Sequence, residues 1–423
     1  MLEAEAIEYI HRFGWEKHTP GLERMRELLA ALGHPEQGLK FVHAAGTNGK
    51  GSMCAMLSSI LRAAGFRVGM NTSPHLVRFE ERIQVDGKMI PGPALAELVE
   101  KIRPAADAMA EHPTEFELIT AIAFLWFQAQ KCDIVVLETG LGGALDASNV
   151  IDTPETAVLT AMGMDHASIL GNTLTEVAKA KAGIIKPGGQ VVSFGGAPEA
   201  DTVFRQVCRE QKAVLTEVKF ERITNVDTSL QGTKFDCAPY GTLELPLLGT
   251  YQVRNALTAI TAAESLRRKG WPISDEAIRQ GLASAHWPGR LELLRKKDPV
   301  VLLDGAHNPH GMRSTVDSLR RLLPEKKAVL VLGMMADKDV DTMLTLVEPI
   351  AASICTVRPE SSRAMAAEEL ARRVRERGIP AQAFESADRA LRAAAAEAGP
   401  GGAVCILGSL YLAGEVLETL ETM

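Results

Sequence analysis

The sequence predicts a two-domain α/β protein. A P-loop NTPase-like N-terminal domain sits on a mostly parallel sheet, and a smaller Rossmann-like α/β domain follows. Three observations predict it. Short apolar runs, of the kind found in strands buried on both faces, recur with helical stretches between them. One such run, Leu39-Lys40-Phe41-Val42-His43, leads into the glycine-rich turn Gly46-Thr47-Asn48-Gly49-Lys50-Gly51-Ser52 and then into a helix. Beyond residue 299, strand-like and helix-like segments alternate to the end of the chain.

The elements follow in order. Two helices open the chain near residues 3–13 and 21–32. After the strand–turn–helix come a strand at 67–70, a loop at 71–79 and a hairpin signal at 82–85 with Asp86-Gly87. Residues 93–111 and 115–130 read as helices. The apolar run 133–137 reads as a central parallel strand, repeated at 156–160 and 190–194 around a helix at 173–182. Residues 219–247, rich in Thr and Gly, read as a small antiparallel element, followed by helices at 251–269 and 274–283. Trp287-Pro288-Gly289-Arg290 breaks the pattern and Arg295-Lys296-Lys297-Asp298-Pro299 punctuates it, so the boundary is placed between domains 1–295 and 296–423. Strands are expected at 300–303, 328–332, 353–357, 382–384 and 403–407.

Composition narrows the function classes. At 423 residues the chain exceeds what one hydrophobic core usually serves. A formal charge of -7 argues against nucleic acid as the main partner. The six cysteines form no C-x-x-C pair and read as buried free thiols in a reducing cytoplasm. The acidic N-terminus lacks signal-peptide regions, and the longest apolar segment, 118–127, is too short to cross a bilayer. A cytoplasmic protein without membrane contact is expected.

The glycine-rich turn is a phosphate cradle. Its glycines let backbone N–H groups turn inward, the helix N-terminus adds partial positive charge, Lys50 reaches terminal phosphates, and Ser52 offers a hydroxyl to Mg²⁺. It departs from the strict motif at Ala44, where Gly is required, and at Gly51, where Ser or Thr is required. Glu138 ends a predicted parallel strand before Gly140-Leu141-Gly142-Gly143, and Asp165-His166 follow another strand on the same sheet edge, where ligands bind in open α/β sheets.

The variant loop resembles that of the Mur ligase superfamily, and more narrowly that of folylpolyglutamate synthase and dihydrofolate synthase. The resemblance recurs at Thr72-Ser73-Pro74-His75-Leu76, Glu138–Gly143, Gly163-Met164-Asp165-His166, Lys181-Ala182-Gly183, Gly289-Arg290 and Asp304-Gly305-Ala306-His307-Asn308-Pro309, spanning most of the chain. It implies ATP held by residues 46–52 and contacted by Asn255 at the adenine, by Arg290 at the γ-phosphate, and by Asp304 and His307. It implies two Mg²⁺ sites, with Glu138, His166 and a hydroxyl from Ser52 or Ser73 among the ligands, and a monovalent cation. It also implies a CO₂-carbamylated Lys181 as a ligand of the second ion, with Lys179 and Lys186 as competing candidates and an ion-paired surface lysine as the plain alternative. Thr72 to Phe79 resembles the family's mobile loop near the folate site, where His75 or Arg82 would face a carboxylate, and Asp146 resembles a position near the pterin or nucleotide-side pocket.

The activity so implied is ATP-dependent addition of L-glutamate to a folate, and to dihydropteroate in the bifunctional form, through an acyl phosphate, by a monomer. Lys50, Lys181, His166 and Arg290 would carry the chemistry. A monofunctional folylpolyglutamate synthase is the near alternative, an inactive scaffold is disfavoured because no motif residue is missing, and two further readings remain open. A cell-wall Mur ligase usually has a separate N-terminal domain, for which the residues before the loop are too few. A GTPase switch finds only a faint echo in Asp337-Lys338-Asp339.

Overall fold

The computed structural model describes residues 1–14, 21–324 and 327–421. These fall into two compact units, one of residues 1–221 and 255–285, the other of residues 222–254 and 286–423.

The first unit contains an eight-stranded sheet. Its strands are β1 (Phe41–Ala45), β2 (Val68–Asn71), β3 (Ile83–Val85), β4 (Lys88–Met89), β5 (Ile134–Glu138), β6 (Thr156–Leu159), β7 (Gln190–Ser193) and β8 (Val214–Glu217), in the spatial order β4-β3-β2-β5-β1-β6-β7-β8. Strands β2, β5, β1, β6, β7 and β8 are parallel, and β3 and β4 form an antiparallel edge. The β3–β4 turn places Asp86 at φ 53° and Gly87 at φ 76°, the paired positive φ that a type I′ hairpin requires. Every residue of β1 and β5 is buried, as expected for strands covered on both faces.

The helices of this unit are α1 (Glu3–His11), α2 (Glu23–Ala31), α3 (Lys50–Ala63), α4 (Gly92–Ala108), α5 (Glu115–Ala129), α6 (Ala167–Leu170), α7 (Leu174–Ala182) and α8 (Pro198–Glu210). Helix α9 (Thr250–Arg268) starts in the second unit and ends in the first, followed by α10 (Asp275–Ala283). One core joins α1, α2, α4 and α5 to the sheet, with Phe41, Phe124 and Phe127 at its centre. A second lies under α7 and α8. Helix α5 starts with a capping box between Thr114 and Glu117, and the Glu117 carboxylate also takes a bidentate hydrogen bond from Arg24 of α2. Strand β8 and helix α8 lie outside the elements expected from sequence.

The second unit begins with the antiparallel sheet β9 (Ile223–Ser229), β10 (Gly232–Cys237) and β11 (Gly241–Leu245). Its main sheet has β12 (Glu292–Arg295), β13 (Val300–Leu303), β14 (Ala328–Leu332), β15 (Ala351–Thr356), β16 (Ala381–Ala383) and β17 (Ala403–Leu407), ordered β12-β13-β17-β14-β15-β16. All pairs are parallel except β12–β13. Helices α11 (Pro309–Leu322), α12 (Val340–Val347), α13 (Ala367–Arg375), α14 (Ala387–Ala398) and α15 (Leu410–Glu421) complete it. The cut expected at 295/296 falls inside the β12–β13 hairpin, whose paired strands keep residues 286–295 with this unit. The small antiparallel sheet also groups here, outside the expected 1–295 segment's compact core. All six cysteines are buried free thiols. No helix among the described residues is long and apolar enough to cross a membrane.

Helix α10 lies against α3 through Gly281, where an added Cβ would sit 2.4 Å from the Ile60 Cα and 2.6 Å from its nitrogen. Backbone atoms cannot swing away as a side chain can. Gly281→Ala is expected to lower unfolding free energy by about 1–3 kcal/mol, read as a shift of the urea midpoint at unchanged slope.

Candidate active site

The parallel strands of the first unit bring their C-terminal ends to one edge. Registers Ala44↔Glu138, Ala45↔Leu159 and Asn71↔Leu137 place Gly46, Thr72, Glu138 and Thr160 there together. The chain runs outward in both directions from the middle of this sheet, so the edge beside β1 is a topological switch point.

The turn after β1 is fixed largely by its neighbour. Thr47 and Asn48 donate their backbone N–H groups to the Ala161 carbonyl at 3.0 and 3.1 Å. The Thr47 hydroxyl donates to the Gly163 carbonyl at 2.8 Å, and Thr160 donates its hydroxyl to the Asn48 carbonyl at 2.9 Å. Two of the expected phosphate-facing N–H groups are therefore used inside the protein. Two glycines are obligatory. A Cβ on Gly46 would fall 1.9 Å from the Thr160 hydroxyl oxygen. Gly49 has φ +80°, and a Cβ on it would lie 2.5 Å from the Asn255 Oδ1. Asn255, buried on α9, thus packs directly on the loop. Gly51 and Ser52 lie in the first turn of α3, with Ser52 buried.

Two lysines converge on one carbonyl. Lys50 Nζ donates to the Gly46 oxygen at 3.2 Å and Lys181 Nζ donates to the same oxygen at 2.8 Å. Lys181 is 5% exposed, near the end of α7. Burial, then the charge of Lys50, depress its pKa from the ordinary 10.5 to about 7, opposed by Asp165 and Asp146. A surface ion-paired lysine is not what the fold makes of it. Helix α7 begins with a Thr173–Glu176 capping box and ends at Gly183, where a Cβ would lie 2.3 Å from the Ala144 Cα. The glycine-rich loop after β5 packs on that end, with Ala144 donating to the Ala180 carbonyl at 2.8 Å.

Glu138 is buried, 3.8 Å from Lys50 Nζ, and accepts a hydrogen bond from the Ser73 backbone N–H at 3.1 Å. The pair puts the Ser73 loop next to a carboxylate, oxygen donors of the kind Mg²⁺ prefers. Among the described residues no three His, Cys, Asp or Glu side chains gather as a metal cluster. His166 has φ +52° and an exposed ring, with its Nε2 4.0 Å from Asp165.

The folate-side expectations separate. His75 Nδ1 accepts from Arg82 Nε at 2.8 Å, and burial with the Arg82 charge lowers the His75 pKa to about 4, so this ring is neutral. Arg82 also lies 3.8 Å from Glu115, which in turn pairs with His11 at 3.2 Å. Thr72 is buried, its N–H bonded to the Arg82 carbonyl. Asp146 is buried and turned inward. Its carboxylate accepts from Leu141 N–H at 2.8 Å and from the Ser148 N–H and hydroxyl. It shapes the glycine loop, and burial raises its pKa. Sequence reasoning missed Ser148 and His43, which extend this chain into the sheet. His43 Nε2 meets the Ser148 oxygen at 2.8 Å. The signal was a histidine inside an otherwise apolar strand.

In the second unit, Arg290 follows Gly289 in the turn before β12 and donates to the Gly289 carbonyl at 3.2 Å. His307 Nδ1 lies 2.9 Å from the Gly305 carbonyl oxygen, at the end of β13. Asn308 caps α11 by accepting from Gly311 N–H at 2.8 Å. Asp304 is buried, and its carboxylate faces the protein interior.

With this geometry in view, comparison with known proteins identifies the family. The Mur ligase middle domain matches residues 44–263, and the Mur ligase glutamate ligase domain matches residues 289–410. The chain is 37% identical to the dihydrofolate synthase/folylpolyglutamate synthase of Bacillus subtilis over 433 aligned residues, covering 99% of both chains. It is 36% identical to the folylpolyglutamate synthase of Lacticaseibacillus casei with the same coverage. Among solved structures, the Escherichia coli enzyme in complex with DHPP and ADP aligns at TM-score 0.87 and 33% identity, covering 100% of this chain and 98% of that one. The Mycobacterium tuberculosis folylpolyglutamate synthase complexed with ADP and AMPPCP aligns at 0.90 and 30%, covering 99% and 98%. A match in both domains and along essentially the whole length makes this chain a member of the Mur ligase family, within its dihydrofolate synthase/folylpolyglutamate synthase branch of ATP-dependent, amide-forming ligases.

Proposed function

We propose that this ligase joins L-glutamate both to the glutamyl tail of a reduced folate and to dihydropteroate. The observation that carries the reading is the convergence of Lys50 and Lys181 on the Gly46 carbonyl beside Glu138, inside a phosphate loop. The full-length likeness to a bifunctional relative supports the choice of acceptors.

A carboxylate resists amine attack because its leaving group would be oxide. In the proposed first step a carboxylate oxygen of the acceptor attacks the γ-phosphorus of ATP, the bond to the β-phosphate bridging oxygen breaks, and ADP departs. The resulting acyl phosphate has a good leaving group. The glutamate amine, as free base, attacks the carbonyl carbon, loses a proton, and expels inorganic phosphate. Lys50 neutralises charge on the terminal phosphates, and the Arg290 guanidinium matches the γ-phosphoryl oxygens. Asn255 meets the adenine and His307 contacts the nucleotide. Glu138, His166 and a hydroxyl from Ser52 or Ser73 would hold Mg²⁺, which supplies charge neutralisation at the phosphates. Thr72, His75 and Arg82 border the acceptor side.

Lys181 is suited to carbamylation. With a pKa of about 7 it is largely a free amine in mildly alkaline solution, the form that adds CO₂. A carbon–nitrogen bond forms, the free amine loses one proton, and a neutral buried amine becomes an anion beside Lys50; starting from the ammonium, two protons leave.

Four outcomes are expected. Phosphate release from ATP with L-glutamate should occur with dihydropteroate and with tetrahydrofolate, each product gaining one glutamate by mass spectrometry. Turnover with tetrahydrofolate alone leaves a polyglutamate synthase, and none with either removes the folate reading. Gly46→Ala should weaken ATP binding by at least about tenfold, since the loop must move from Thr160. The folded-state pKa of Lys181 lies below its unfolded value, so the unfolded chain binds more protons between about pH 7 and 10. Stability contributed by this site therefore rises with pH across that window and is lowest below it. In CO₂-free buffer Lys181→Met should raise the unfolding midpoint most at pH 6, and the gain should shrink toward pH 9. Carbon-13-labelled bicarbonate should give a carbamate resonance in the unmodified chain and none in Lys181→Met.

A further inference from the structure

We infer that Tyr251 and Thr315, acting through Asp304, are positioning residues that aim Arg290. The inference rests on the reading of Arg290 as the γ-phosphate contact. Asp304 accepts from four protein donors on its two carboxylate oxygens. Oδ2 accepts from the Tyr251 hydroxyl and the Leu291 N–H, both at 2.8 Å. Oδ1 accepts from the Ala306 N–H at 2.8 Å and the Thr315 hydroxyl at 2.9 Å. A carboxylate offers about four acceptor positions, and these four donors make Asp304 a clamp on its own surroundings.

What the clamp holds is the turn that carries Arg290. Leu291, the next residue, has φ +49°, a left-handed conformation that a bulky side chain rarely adopts. Its side chain is buried in the core of this unit, so the conformation is imposed. The Asp304–Leu291 bond fixes that N–H. The same turn is tied again by Gly305 N–H to the Gly289 carbonyl at 2.9 Å and by Gly289 N–H to the Glu292 carboxylate at 2.8 Å. Arg290 lies across Gly305, where a Cβ would stand 2.6 Å from its Nη1. Gly249, at φ +96°, lets Tyr251 and Leu291 close on each other, since a Cβ there would meet both within 3.0 Å. The Arg290 charge also acts on the Tyr251 hydroxyl, so guanidinium and clamp are neighbours.

The test uses the full chain and compares ATP with ADP, which lacks the γ-phosphate. General damage to the fold weakens both nucleotides. Mis-aiming Arg290 weakens ATP alone. Tyr251→Phe and, separately, Thr315→Val are expected to weaken ATP binding by about tenfold and leave ADP within about twofold. Arg290→Ala should do the same, and the Tyr251→Phe/Arg290→Ala double variant should bind ATP no worse than Arg290→Ala. Equal losses for ATP and ADP, or effects that add in the double variant, overturn the inference and leave the Arg290 reading in place. An Arg290→Ala variant with unchanged ATP preference overturns both. Should Tyr251→Phe fail to fold, Thr315→Val with Arg290→Ala gives the same cycle.

Discussion

Two lysine side chains share the buried Gly46 carbonyl oxygen, and the end of this sheet is arranged around that constraint. Gly46 can present its carbonyl to Lys50 and Lys181 together only because it has no side chain to meet Thr160. Burial penalises an ammonium at Lys181 first, and the neighbouring charge of Lys50 adds to that penalty, so the Lys181 pKa falls to about 7.

The same edge shows how a parallel sheet supplies geometry at little expense. Each strand needs its buried ladder to stay dry, and each ends where the ladder ends. One residue beyond the ladders of β1, β5 and β6 stand Gly46, Thr139 and Thr160. Glu138 comes one residue earlier. It still belongs to β5, is buried, and lies beside Lys50 and the Ser73 N–H.

Much of this was legible in the sequence. The strand–loop–helix, the central apolar run ending in Glu138, and the alternation after residue 299 are local patterns, and local patterns survive into the fold. What was not legible depends on pairing across the chain. Strand β12 is Glu-Leu-Leu-Arg next to a charged tract, and only β13 makes it a strand. The three-stranded sheet was recognisable as antiparallel, yet its allegiance to the second unit follows from contacts far away in sequence. Side-chain direction was hidden too. Asp146 and Asp304 both read as residues at ligand-binding edges, and both turn inward to bind backbone N–H groups.

That last pattern has a physical cause. A glycine-rich turn is cheap to bend and costly to hold, because glycine loses the most backbone freedom on folding. An ionised carboxylate accepting several backbone N–H bonds is the strongest short-range device for holding one. Each unit has such a carboxylate just beside its glycines: Asp146 fixes Leu141 in the run Gly140–Gly143, and Asp304 fixes Leu291 and Ala306 around Gly289 and Gly305. In both cases the hydrogen bonds go to backbone N–H groups and hydroxyls, so the acid's acceptor capacity serves backbone order. Acid-plus-glycine motifs at strand ends therefore carry two meanings. The glycines mark where a ligand's charge can approach, and the acid marks what keeps the approach open.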